Sequence, residues 1–206
     1  MRAADRQRPP PGSLFLDHVS HFVPDLEAAA MLLEALGFAV TPLSAQVTQH
    51  GPAGTSNRCV MLAEGYLEFL TPIADTPNAA RLRKSMRRYR GVHLVCFGTP
   101  TAEEEHARLA AHGFAPQPLV HLERKVEDGM KVRFSVVRAA SGKMPEGRVQ
   151  YVQHLAPEAI WRPAHLRHRN GVLGLAAAYV VAANPVRPAA RWARSLGALP
   201  RRAGTF

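Results

Sequence analysis

The sequence predicts an α+β fold of two paired βαβββ modules followed by a partial third, and three observations carry that prediction. The run DHVSHFVPDLEAAAMLLEALGFAVT from Asp17 returns as VHLVCFGTPTAEEEHARLAAHGFAPQ from Val92: a His early in an apolar run, a turn with Pro, an alanine-rich amphipathic stretch, then Gly-Phe. His18 and His93 lie 75 residues apart and Gly37 and Gly113 lie 76 apart, so the offset is nearly constant. Each helical stretch is followed by three extended segments divided by Gly and Pro signals. A repeat of this kind can place like elements about a pseudo-twofold axis.

Residues 1–13, MRAADRQRPPPGS, are polar and broken by proline, which predicts a disordered tail and no apolar secretory segment. The first module covers 14–74. LFLDHVSHFV has the length and composition of a strand and stops at Pro24. Asp25 can then cap a helix through AAAMLLEAL, which Gly37 closes. FAVTPLSAQVTQ, SNRCVMLAE and YLEFLTP supply three more strands. A basic linker over 75–90, with RLRKSMRRYR, has room for a short helix.

The second module covers 91–157. GVHLVCFGTP is its first strand, Thr101 the expected N-cap, and EEEHARLAAHG a helix with its acids at the favourable N-terminal end. FAPQPLVHLERKV, KVRFSVVRA and GRVQYVQHL follow as strands, with EDG and SGKMPEG as turns. Residues 158–206 form a linker and an incomplete third module: a strand is expected near Leu175–Val181 and a helix near Pro188–Leu196, before the chain stops at Phe206. The position matching His18 in this copy is Ala177 or Ala178, so it offers no ligand. Its apolar face is expected to pack at a sheet edge or in a dimer contact.

With 206 residues, 47% hydrophobic and 20% charged, the chain has enough apolar surface for a globular core. No apolar run reaches the roughly 18 residues that span a bilayer, so a cytoplasmic protein with no membrane partner is expected. Cys59 and Cys96 are too few for a disulfide scaffold and read as buried free thiols. A formal charge of +10 raises the question of nucleic acid. The basic clusters contain almost no interleaved aromatics apart from Tyr89, so no stacking platform is evident and nucleic acid is not favoured.

Strand alternation puts His18 on a face with Leu16, Ser20 and Phe22, and Glu68 with Tyr66 and Leu70. In the second module it puts His93 with Val95 and Phe97, and Gln150 with Val152 and His154. Each module thus offers an imidazole from its first strand and an oxygen donor from its last, and a pseudo-twofold would bring the four to one centre.

Paired modules of this design resemble the vicinal oxygen chelate (VOC) superfamily, which includes glyoxalase I, methylmalonyl-CoA epimerase and the extradiol dioxygenases. The run HGPAGTSNRCVMLAEGYLEFL from His50 to Leu70 resembles the His-x-x-x-Gly-Thr-x-Asn-Arg…Tyr-Leu-Glu-Leu pattern of bacterial glyoxalase-like domain proteins. The resemblance covers roughly Leu14 to Pro157 and implies the glyoxalase/bleomycin-resistance/extradiol dioxygenase-like fold. It also implies a divalent metal (Zn, Ni, Co, Mn or Fe) held by His18, Glu68, His93 and Gln150, with His154 as an alternative to Gln150.

The implied activity is metal-assisted proton transfer on a small carbonyl or oxygenated substrate, as an isomerase, epimerase or lyase. The ion would polarise a carbonyl while Glu68, the one acid of the set, takes the proton. Asn57 and Arg58 are substrate-binding candidates, Arg58 through a bidentate contact to an anionic group. An extradiol-type dioxygenase matches less well, because Gln150 leaves its carboxylate position uncharged. The alternative from another class is a metal-free small-molecule-binding protein of the same fold, and a homodimer is the partner arrangement the fold admits.

Overall fold

In the computed structural model, which describes residues 2–48, 51–125 and 130–198, two βαβββ units join along an antiparallel seam. The chain runs α1 (Ala3–Arg6), β1 (Phe15–Phe22), α2 (Leu26–Ala35), β2 (Ser44–Thr48), β3 (Gly51–Met61), β4 (Tyr66–Pro72) and α3 (Pro77–Arg88). It continues through β5 (Val92–Gly98), α4 (Ala102–Ala111), β6 (Val120–Lys125), β7 (Lys131–Arg138), β8 (Arg148–His154), two single 3-10 turns and α5 (Val186–Leu196). His50, the EDG turn at 127–129 and the end of the third copy at Phe206 lie outside the described residues. All eight strands form one sheet in the order β2-β3-β4-β1-β5-β8-β7-β6. Only β1–β4 and β5–β8 are parallel, so the pairing reads the same from both edges.

The seam register gives the repeat its true offset. Leu16 pairs with Phe97 and His21 with Val92; His18 pairs with Cys96 and Ser20 with Leu94; Val19 pairs with Val95 on the axis. Each pair maps onto its mate with a shift of 76, the spacing of Gly37 and Gly113. The twofold mate of His18 is therefore Leu94, and the mate of His93 is Asp17. The two histidines, expected at equivalent positions, stand one residue out of register. The cause is a β-bulge in each strand, at Asp17 in β1 and at His93 in β5, where one residue goes unmatched. The bulge also breaks the alternation, so Leu16 and His18 face opposite sides of the sheet instead of sharing one.

Local signals explain most boundaries. Asp25 caps α2 as expected, its Oδ1 accepting from Glu27 N at 2.8 Å and Ala28 N at 3.0 Å. Thr101 stands at the N-cap of α4 without a capping bond; Gln153 Oε1 takes the Ala102 N–H at 3.1 Å instead. The strands β2 and β6 start later than expected, beyond Pro42 and Pro118, because proline cannot donate to a ladder. In the basic linker α3 begins at Pro77 with Thr76 as its cap, and buries Ala79 and Leu82 while its cations stay exposed or half-buried.

Both ends of the chain differ from expectation. Near the N-terminus Ala4 and Gln7 are buried, and the Gln7 amide donates to Ala3 O (2.7 Å) and Ala63 O (3.0 Å) and accepts from Gly65 N (3.2 Å). Gly65, at φ +75°, forms the β3–β4 turn so close to the bulge that a Cβ would stand 2.4 Å from Asp17 O. Polar side-chain bonds to this turn, invisible in composition, order the segment. Toward the C-terminus the strand expected near Leu175–Val181 does not form; only Gly174 makes a bridge, to Glu64. Val172 and Leu175 pack on Leu33, Val60 and Leu62 of the first module, whereas α5 inserts Trp192 and Leu196 against Leu109, Phe114 and Tyr151 of the second. The residues between these anchors are drawn out to connect them, leaving Tyr179 and Val181 exposed. No helix among the described residues is long and apolar enough to cross a membrane.

The packing of α5 makes the third copy part of the second module's core. Trp192→Ala is expected to lower the unfolding free energy by about 2–3 kcal/mol, below the fully buried range because the ring is partly exposed. Urea unfolding checks this, and an unchanged midpoint would show that the helix adds nothing.

Candidate functional site

The bulge at Asp17 turns two consecutive side chains into the interior. Asp17 is fully buried, with Oδ1 2.5 Å from His18 Nδ1 and Oδ2 accepting from His154 Nε2 at 2.8 Å. Aromatic rings seal this end: Tyr66 stacks on His18 at 4.3 Å, and Trp161 stands edge-on to Tyr66 at 5.8 Å and to His154 at 4.8 Å. Burial opposes the Asp17 carboxylate, but the His154 and His18 imidazoles outweigh it and hold its pKa well below the usual range. For His18 burial works against the charged ring, and the Cys96 sulfur and the Asp17 carboxylate raise its pKa well above the ordinary value. Burial pushes the Cys96 thiol up as well.

Glu68 lies beside this pair. Its Oε2 accepts from Ser20 Oγ at 2.6 Å and stands 4.0 Å from His18 Nε2. Its Oε1 accepts from Asn57 Nδ2 at 2.8 Å and Gln46 Nε2 at 3.4 Å, and Gln46 is held in turn by Thr55 Oγ1 at 2.7 Å. Register explains the meeting: Ser20 is the partner of Glu68 across β1–β4, and Cys96 is the partner of both His18 and Gln150. The Cys96 thiol lies against the side chains of His18 and Gln150. His18, Glu68, Cys96 and Gln150 thus share one face at the seam.

Other expected site residues are placed elsewhere. Phe22 N donates to His93 Nδ1 at 3.1 Å and His93 Nε2 donates to Tyr89 O at 3.0 Å, with the ring between Phe22 and Tyr89. Both nitrogens are therefore committed to backbone, and burial lowers the pKa, which suits a neutral structural ring. Among the described residues, the group of acids, histidines and cysteines close enough to share an ion is Asp17, His18 and Cys96, without His93. His154 is engaged with Asp17 and its buried Nδ1 has no partner. Asn57 holds Glu68, while Arg58 pairs with Glu27 at 2.7 Å and donates to Thr41 O at 3.3 Å. Asp17, Ser20, Gln46 and Cys96 escaped the sequence reading. For Asp17 the signal was its place beside His18 in an apolar strand, where an acid needs a partner.

The mirrored eight-stranded sheet is the architecture of the VOC superfamily. The chain belongs to the glyoxalase-like domain family, whose model matches residues 16–196. Among solved structures it is similar to a hypothetical protein from Staphylococcus aureus, at 16% identity and a TM-score of 0.52, over 69% of this chain and 59% of that one. Methylmalonyl-CoA epimerase from Streptomyces coelicolor, a single-substitution variant in complex with 2-nitronate-propionyl-CoA, is 20% identical with a TM-score of 0.48 over 69% of this chain and 95% of its own. The epimerase from Mycobacterium tuberculosis is 17% identical with a TM-score of 0.48, over 72% and 94%. No curated protein matches the chain. These identities establish the fold alone.

The Asp17–His18 pair has a defined pH signature. The raised His18 pKa contributes stability that is complete below its unfolded value of about 6.5 and is lost as pH rises through the folded value. The lowered Asp17 pKa contributes stability present above about 3.9 and lost as pH falls toward the folded value. Asp17→Asn is expected to cost about 3–5 kcal/mol near pH 6 and to flatten the decline above pH 6.5. Urea unfolding at a series of pH values measures both, and an equally steep decline in the variant would refute the coupling.

Proposed function

We propose that the chain is a VOC-type enzyme that moves a proton next to a carbonyl or other oxygenated group of a small substrate, in an isomerase, epimerase or lyase reaction. The observation that carries this reading is the approach of Glu68 Oε2 to His18 Nε2 at 4.0 Å beside the seam, both side chains buried. Ser20 and Asn57 hold one oxygen each, which fixes the carboxylate's orientation and leaves lone pairs for a substrate C–H proton. Glu68 is the base in this reading. Ser20, Asn57 and Gln46 are positioning residues, and Asp17 orients His18 from behind.

The donor set fits a divalent ion. Asp17 engages His18 Nδ1 and leaves Nε2 turned toward Glu68, the arrangement a ligating imidazole uses. Donor atoms of neighbouring ligands stand roughly 3–4 Å apart around a Zn-sized ion, and His18 Nε2 and Glu68 Oε2 meet that spacing. His18, Glu68 and the Gln150 amide oxygen would hold the ion, with the Cys96 thiol beside them. When bound it would polarise the substrate oxygen and stabilise the negative charge that forms there. Binding must displace the His18 proton, so affinity would rise with pH. Leu94 at the twofold mate of His18 favours a second reading, a binding protein of the same fold without metal, with the His18 imidazolium as donor to a ligand oxygen.

Solvent-deuterium incorporation into a panel of small 2-oxo and 2-hydroxy acids and acyl thioesters, followed by NMR, tests the proton transfer. Glu68→Gln is expected to slow exchange by about 10²–10⁴-fold, the usual weight of a positioned base. Exchange at the wild-type rate in that variant would overturn the assignment. Titration with Zn²⁺ and Co²⁺ against wild type and His18→Ala separates the two readings. Stoichiometric binding lost in His18→Ala supports the metal enzyme, and absence of binding in both supports the metal-free binder.

A further inference from the structure

Beside the seam, between α3 and the β7–β8 connection, lies a cavity of about 520 Å³. Arg81, Lys84 and Arg88 line it from one face of α3, at the spacing that aligns residues along a helix. Arg138 and Arg148 line it from β7 and β8, and among the described residues no carboxylate does. Arg138 and Arg148 form no ion pair among the described residues, and the buried Arg138 Nε has no hydrogen-bond partner. Arg148 lies over the Phe22 ring at 5.9 Å, and burial, Arg138 and Arg81 hold its pKa down to about 10. Burial and Arg81 lower Arg138 likewise. Other buried or bridging cations of this chain do find acids: Arg58 has Glu27, Arg108 has Glu105 and Arg191 has Glu146.

Converging guanidiniums without counter-charge destabilise a fold unless a ligand supplies it. We infer that this cavity binds a small molecule through a multiply charged oxyanion group, phosphoryl or polycarboxylate. Guanidinium forks match the oxygens of either group bidentately, and the volume suits a small metabolite. A nucleic-acid strand fits less well, since Arg138 and Arg148 lie within the cavity wall and Tyr89 is committed to stacking on His93 at 4.7 Å. Gln150 lines the cavity and also touches Cys96, and Glu68 is the acid whose charge reaches Arg148. An anion held here would direct the rest of its molecule toward Glu68; that extension rests on the proposed function, whereas the anion site does not.

Calorimetry and thermal melting of the full chain in about 150 mM salt, near the physiological screening length, test the site with pyrophosphate, citrate and a short single-stranded oligonucleotide. One-to-one binding of pyrophosphate or citrate with a raised melting temperature is expected, and the better of the two identifies the group. Arg138→Met is expected to raise the melting temperature without anion, by removing an unpaired buried charge, yet to weaken anion binding by about tenfold or more. A variant that merely damaged the fold would lower both. If Arg138→Met does not fold, Arg81→Gln on the outer face of α3 replaces it, with the same loss of affinity expected. Failure of both anions to bind, unchanged affinity in these variants, or oligonucleotide binding tighter than either anion would overturn the inference. Loss of proton exchange in Glu68→Gln with pyrophosphate binding intact in His18→Ala would leave both proposals standing, and anion binding without any exchange would sink the proton-transfer reading alone.

Discussion

The antiparallel pairing of β1 with β5 carries one unmatched residue in each strand, and those two bulges decide which side chains turn inward. Without the extra residue at Asp17, the acid would face away from His18, because neighbours on a regular strand point to opposite sides. With it, Asp17 and His18 turn inward together and His154 closes on the free carboxylate oxygen. The bulge needs shielding, since an ionised acid in an apolar interior is costly unless every oxygen is paired. Tyr66, Trp161 and the short N-terminal helix, tied through Gln7 to the turn at Gly65, exclude water from it.

Charge is distributed unequally on either side of this seam. The first module presents the acid side: Glu68 within a shell of Ser20, Asn57 and Gln46. The second presents Arg138 and Arg148, which among the described residues form no ion pair. The strong positive charge of the whole chain therefore has a local meaning as well as a compositional one. Much of it lies on exposed surfaces, where salt screens it over about 8–10 Å. The part that lies in the cavity wall is partly desolvated and screened less.

The order of strands and helices was legible in the sequence because caps, glycines and proline stops act locally. Asp25, Gly37 and Gly113 mark their helices as a reader of motifs would place them. The site was half legible. His18, Glu68 and Gln150 sit at the seam because strand pairing follows from the repeat. His93, expected beside them, stands apart, since a spacing of 75 looks like 76 until the register is known, and a bulge leaves no mark in composition. Arg58 looked like an anion anchor, but its strand neighbour Asn57 faces Glu68, which turns Arg58 outward to Glu27 on α2. The missing third-copy strand has another reason: its residues are held at two distant anchors, and geometry overrides their β propensity.

The twofold that relates the two modules in backbone is broken in side chains, Tyr66 against Arg148 and His18 against Leu94, each pair at matching register. A cleft that kept the symmetry would accept a ligand in either of two orientations. The two halves of this chain are distinguishable, so a molecule bound across them would be read in one direction only. Directional reading is what allows an enzyme to tell the two faces of a flat carbonyl or enolate apart, since a molecule fixed at one end presents a single face to a base at the other. Stereochemical choice would then follow from the unequal drift of two once-equal halves.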